Sequence, residues 1–147
     1  MDVIVTTPKT QMAAAAAEAA DAIAAGGGEY FRRFAMNSAP MIYPGERVYY
    51  VEDGYIRGFA YVSRVEHCCT GEQRSKTGRR WPPGTYLYMF ADSWQWIRPM
   101  PMVGFQNFHY AWSHFRPEDV LIVGGWRDAK PCTPQTSTLT PAVEASP

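Results

Sequence analysis

Histidine and cysteine are scarce in this chain, with three of each, and its charges leave no surplus of either sign. Cys68 and Cys69 are adjacent and Cys132 stands alone; an odd count in this arrangement is not a disulfide framework. It reads as reduced thiols in a cytoplasmic compartment. His67-Cys68-Cys69 does not make a zinc site, because structural sites leave two or more residues between thiols. Small side chains buried at a strand end are the reading, and neither metal nor cofactor is expected. Lys plus Arg equals Asp plus Glu at 14 each, so no global field draws in a polyanion. Affinity for nucleic acid would have to come from a local patch. A bilayer-spanning run is also missing. The alanine-rich stretch Gln11 to Ala25 is too short, carries Glu18 and Asp21, and lacks the basic start of a secretory signal, so no membrane partner is expected. There is no Walker A sequence, no Gly-x-Gly-x-x-Gly, no His-Glu-x-x-His and no internal repeat. A Ser-His-Asp triad leaves no such trace, since its members meet only in space.

What is present suits one domain, the chain being 147 residues long. Residues 1–28 read as a short tail and a helix. Thr7-Pro8 supplies an N-cap and a first-turn proline, alanine the propensity, and Gly26-Gly27-Gly28 the stop. Residues 29–130 read as a β domain, and 131–147, rich in Pro, Thr and Ser, as a disordered and dispensable tail. The β domain centres on a hairpin. Val48 to Glu52 is β-branched and aromatic, Asp53-Gly54 supplies the positive φ of a two-residue turn, and Tyr55 to Val65 returns. Gly58 marks a bulge, or a place where another backbone or a ligand comes close. Neither face of Val48–Val51 is polar, so both want cover. That suits a small, strongly bent barrel with further segments packed outside it. Gly84 to Phe90 is a strand with Tyr86, Tyr88 and Phe90 on one face and Leu87 and Met89 on the other. Val120 to Val123 reads as a buried closing strand.

Gly45, Glu46, Val48, Gly54, Ile56, Gly58, Ala60 and Val62 together write G-E-x-V, a turn glycine, and I-x-G-x-A-x-V. This resembles the central hairpin of PUA-like domains, the superfamily of the PUA, ASCH and EVE domains, with Glu46 where Asp is commoner. The resemblance covers about twenty residues and implies a PUA-like β-barrel in which the last strand returns beside the first. It also aligns Gly26 and Arg33 with the two ends of the ASCH Gly-x-Lys-x-x-Glu-x-Arg motif. Gly28 stands in the lysine place and Phe31 in the glutamate place. ASCH members that hydrolyse an acyl group from a modified cytidine use that lysine and glutamate. Their absence argues against that activity while leaving binding open.

Two stretches carry candidate function. Thr70 to Pro83 is a loop that sets Arg74, Lys76, Arg79 and Arg80 within seven residues, with Trp81 beside them. Cations for phosphates and a ring for stacking compose a single-strand or flipped-base contact, although basic loops are commonly no more than solvated. Ala91 to Arg116 concentrates Trp94, Trp96, Phe105, Phe108, Tyr110, Trp112 and Phe115. Pro99, Pro101 and Gly104 keep it from being one regular element. So apolar a stretch either covers the sheet, lines a pocket or meets another chain. His109 and His114 lie in it; a histidine bonded to backbone is commoner than a general base, and no catalytic residue is assigned. The expected nucleic-acid-binding set is Arg33, Arg74, Lys76, Arg79, Arg80, Trp81, Trp94, Trp96 and His109. Three functions follow: a module binding RNA, DNA or a nucleotide, a small enzyme acting on a modified nucleoside, and an interaction protein using residues 94–115.

Overall fold

The computed structural model describes residues 1–7, 28–35, 38–69, 72–73 and 80–124. The expected helix over 11–25, the tail over 131–147, and Arg74, Lys76, Arg79 and Cys132 lie outside them, as do the side chains of Cys68, Cys69, Arg80 and Trp81. The described chain is mainly β. Its strands are β1 (Val3–Thr6), β2 (Glu29–Phe34), β3 (Arg47–Glu52), β4 (Tyr55–Cys69), β5 (Glu72–Gln73), β6 (Arg80–Trp81), β7 (Gly84–Phe90), β8 (Gln95–Pro101) and β9 (His109–Tyr110). Short 3-10 turns occupy Ala91–Ser93, Ala111–Ser113 and Pro117–Asp119. Among the described residues no helix is long and apolar enough to cross a membrane.

The β3–β4 hairpin forms as its sequence requires. Asp53 and Gly54 have φ of 54° and 82°, both left-handed, which matches the twist of the flanking strands. Tyr50 faces Gly58 while Val51 faces Ile56, so Arg57 is the extra residue of a bulge. Gly58 also admits a close approach, by a side chain and by backbone. A Cβ there would lie 2.3 Å from Cζ2 of Trp94 and 2.6 Å from the Gln95 carbonyl oxygen. At the start of the hairpin, Gly45 donates to the Val62 carbonyl and Val62 donates to the Glu46 carbonyl, both at 2.9 Å. The G-E-x-V and G-x-A-x-V segments are thus clipped to each other.

β4 runs for 15 residues and changes neighbours along its length. Its first half lies between β3 and β8, and its second half pairs with β7. The sheet order is β2-β7-β4-β3-β1-β9, with β8 joined to β4 off that path, and the sheet curls into a half-barrel. Side chains alternate across such a sheet, so both faces acquire a core. The inner core holds Val3, Val5, Phe34, Val48, Tyr50, Ala60, Val62, Leu87, Met89, Trp94 and Trp96. The outer core holds Ile4, Tyr49, Val51, Ile56, Phe59, Ile97 and Ala111, with Met100, Met102, Phe105, Phe115 and Val120 packed on it. The aromatic stretch is therefore mostly cover for the sheet.

The closing strand is not where it was expected. Residues 121–124 run along β8, with the Arg98 amide donating to the Leu121 carbonyl and the Val123 amide to the Trp96 carbonyl, each at 2.8 Å. Leu121, Ile122 and Val123 are about half exposed, at 51–52%. The place beside the first strand is taken instead by β3 on one side, in parallel, and β9 on the other. The two ends of the sheet path then meet through rings. Phe108 packs edge-on against Phe34 at 5.8 Å and against Tyr110 at 5.2 Å, and the Tyr110 hydroxyl accepts from the Met41 amide.

Candidate functional site

The β4–β7 ladder does not stop at the sheet. Cys69 pairs with Gly84, Glu72 with Trp81 and Gln73 with Arg80, each step on one strand matched by one on the other. β5 and β6 thus prolong the β4–β7 hairpin in register, and residues 74–79, with three of the four clustered cations, connect them. Arg80 and Trp81 form β6 itself. The base of this arm is held from β2. The Arg33 Nε donates to the carbonyls of Pro82 and Pro83 at 3.2 and 3.1 Å, and its Nη2 donates to Pro83 at 2.6 Å. The buried Tyr86 hydroxyl donates to the same Pro82 carbonyl at 2.5 Å. Beside them Phe31 packs on Tyr86 and Tyr88, at 5.3 and 5.9 Å between ring centres. Arg33 thus anchors the exit of the basic stretch, with two of its nitrogens committed to backbone.

The neighbouring cation is neutralised. Arg64 lies 3.7 Å from the Tyr88 ring centre, pairs with Glu29 at 3.1 Å, and also pairs with Glu66. Burial works against its charge, but the hydrogen bonds and charges of the two carboxylates outweigh this and hold its pKa above the usual arginine value. The Ser63 hydroxyl donates to the second oxygen of Glu29 at 2.5 Å.

Trp94 and Trp96 correct the expectation of a stacking platform. They are 1% and 6% exposed, packed edge-on to each other at 5.2 Å, with Trp94 against Tyr50 at 5.5 Å. The slot left by Gly58 receives the Trp94 indole, and rings so enclosed present no face to a base. His109 is engaged within its own segment. Its ring stacks on Phe105 at 3.9 Å, and its Nδ1 shares a hydrogen bond with the His114 Nε2 at 2.9 Å. Among the described residues no three of His, Cys, Asp or Glu gather to hold a metal ion.

Arg32 was missed. It pairs with Leu87 of the inner core, whereas Arg33 faces outward. Its side chain is half buried, with the guanidinium carbon 5.9 Å from the Phe34 ring centre. Burial pushes its pKa below the usual arginine value, while the Tyr50 hydroxyl pulls it back up. Strand alternation counted from Phe34 would have found it. One further feature carried no signal in the sequence, a shallow cleft of about 130 Å³ lined by Met1, Asp2, Tyr49, Ala111, Trp112, Phe115 and Pro117.

No protein-family model, no curated protein and no solved structure matches this chain. The PUA-like resemblance therefore rests on the hairpin residues and on the two ends of the ASCH motif.

Proposed function

We propose that this chain is a PUA-like binding module for nucleic acid or nucleotides, with the basic arm over residues 72–81 as its contact surface. The observation that carries the reading is the in-register extension of β4–β7 by β5–β6, anchored at its base by Arg33 and Tyr86. Paired strands on both sides of the basic stretch shorten the segment that has to be ordered on a ligand, which lowers the cost of binding. Arg74, Lys76, Arg79 and Arg80 supply phosphate contacts, Trp81 supplies the stacking ring, and Arg33 positions the arm. The buried Trp94 and Trp96 have no part in it.

The test is a titration of labelled single strands, duplexes and free nucleotides at several salt concentrations. Replacing Arg79 and Arg80 together by Ala should weaken binding and reduce the salt slope by about two, roughly one per lost phosphate contact. Trp81→Ala should cost about 1–3 kcal/mol with the slope unchanged, because stacking releases no counterions. Absence of binding to all three ligand types at low salt would overturn the proposal. A protein partner is the second reading. It is favoured by the large apolar side chains of Trp112 and Val103, 69% and 86% exposed in the aromatic segment.

A further inference from the structure

We propose that Arg32 forms, on the inner face of the curled sheet, a binding site for the oxyanion of a small ligand, a phosphate or a carboxylate. This goes beyond the arm, whose base is held by Arg33 from the opposite face of β2.

Parity along β2 sets the two apart. Arg32 and Phe34 lie opposite Leu87 and Thr85, and Phe34 and Leu87 belong to the inner core. Arg33 reaches out to the proline carbonyls. A guanidinium keeps its charge at any physiological pH, so burying it calls for a partner. The other arginines whose side chains are described have one or face water. Arg33 binds carbonyls, Arg47 binds the Tyr49 hydroxyl and lies over the Phe59 ring, and Arg57 binds the Glu52 carbonyl. Arg64 binds two carboxylates, and Arg98 and Arg116 are exposed. Arg32 is half buried, yet among the described residues no carboxylate or carbonyl takes its donors. Among the described residues its guanidinium carbon lies 5.9 Å from the Phe34 ring centre, and the Tyr50 hydroxyl is near enough to act on its charge. The planar fork of the side chain matches two oxygens of one anion, and an aromatic wall beside it suits a ligand with an apolar body.

The experiment uses the full chain, thermal unfolding and calorimetric titration, with inorganic phosphate and benzoate as probes and sodium chloride at matched ionic strength as control. Phosphate and benzoate distinguish the two sources of the oxyanion. At least one should raise Tm saturably in the wild type. Arg32→Met should abolish that shift, and Arg32→Lys should weaken binding about ten-fold or more, since an ammonium cannot form the fork. Arg98→Met should leave binding intact. Without ligand, Arg32→Met should unfold at or above the wild-type temperature, because an apolar side chain of similar length replaces a poorly paired, half-buried charge. The proposal is overturned if neither anion shifts the wild type, or if the shift survives Arg32→Met. It is also overturned if Arg32→Met lowers Tm without ligand, which would mean that the chain itself already satisfies the guanidinium. Loss of nucleic-acid binding in the Arg79 and Arg80 variant would leave these readouts unchanged, so the two proposals fail separately.

Discussion

Gly58→Ala is the most demanding test of the packing. The added methyl would sit 2.3 Å from Cζ2 and 2.7 Å from Cε2 of Trp94, and 2.6 Å from the Gln95 carbonyl oxygen. Neither neighbour can yield cheaply. The indole is 1% exposed and packed between Tyr50 and Trp96, and the carbonyl belongs to β8, which pairs with β4 at Gly58 and Phe59. Overpacking a tight core costs about 1–3 kcal/mol, and two rigid contacts place this site at the upper end. The gain from a stiffer unfolded chain, about 0.4–1 kcal/mol, offsets part of it. A net loss of about 2–2.5 kcal/mol should lower the urea midpoint by roughly 1–1.7 M, given m near 1.5–2 kcal/mol/M for a chain of this size. Gly54→Ala is the control, because its cost is purely conformational. Gly54 has φ of 82° with nothing within 4 Å of a Cβ, so the penalty should be about 1 kcal/mol. In a Trp94→Phe background the Gly58→Ala penalty should shrink by about 1 kcal/mol, since the clashing ring atoms are gone. Equal midpoint shifts for Gly58→Ala and Gly54→Ala would refute the reasoning.

Two other perturbations follow from single hydrogen-bond clusters. Arg33→Ala and Tyr86→Phe should each destabilise by about 1 kcal/mol and couple by about 0.5 kcal/mol or more, since both donate to the Pro82 carbonyl. Arg33→Ala should leave the salt slope of nucleic-acid binding unchanged; a drop of one unit would make Arg33 a phosphate contact instead. Glu46 carries a pH signature. Burial opposes its charge, but hydrogen bonds from the α-amino group and the Tyr43 amide, with the amino charge, hold its pKa below the usual glutamate value. A depressed folded pKa gives stability that is present above the unfolded value, about 4.3, and is lost as pH falls through the folded value. Glu46→Gln should therefore unfold below the wild type near pH 7, and the gap should close at acid pH. With the side chain a third exposed, the gap should stay under about 1 kcal/mol, read from paired Tm-against-pH profiles.

The hairpin was legible because its determinants are local. Asp53-Gly54 fixes the turn, the turn fixes the register, and alternation then assigns Val48 and Tyr50 to one core and Tyr49 and Val51 to the other. The apolar character of both faces foretold the outer cover as well, although which residues supply it depends on contacts far apart in sequence. Ile97 comes from β8, whereas Ala111 and Phe115 reach the sheet only after the irregular chain that follows Pro101, and no periodicity records such a path. The closing strand failed for a related reason. Val120–Val123 has the composition of a buried strand, but β9, only two residues long, had already taken the free side of β1.

The candidate site turned on one step of register. Arg32 and Arg33 are adjacent and chemically identical, and a motif alignment singled out Arg33 because it falls at the last place of the ASCH pattern. In a strand, adjacent residues face opposite ways, so the choice between them is a choice of face. Phe34 settles it, for an aromatic at the end of β2 seeks the inner core, and the residue two before it must follow. Phe31 then shares the outer face with Arg33, where it meets Tyr86 and Tyr88. The motif thus pointed to the arginine whose donors fasten the arm, while the same alternation turns Arg32 inward, where its charge is the harder to account for. An anion that binds through Arg32 and a polyanion that binds through the arm would use different residues of the chain, and neither should compete with the other in a joint titration.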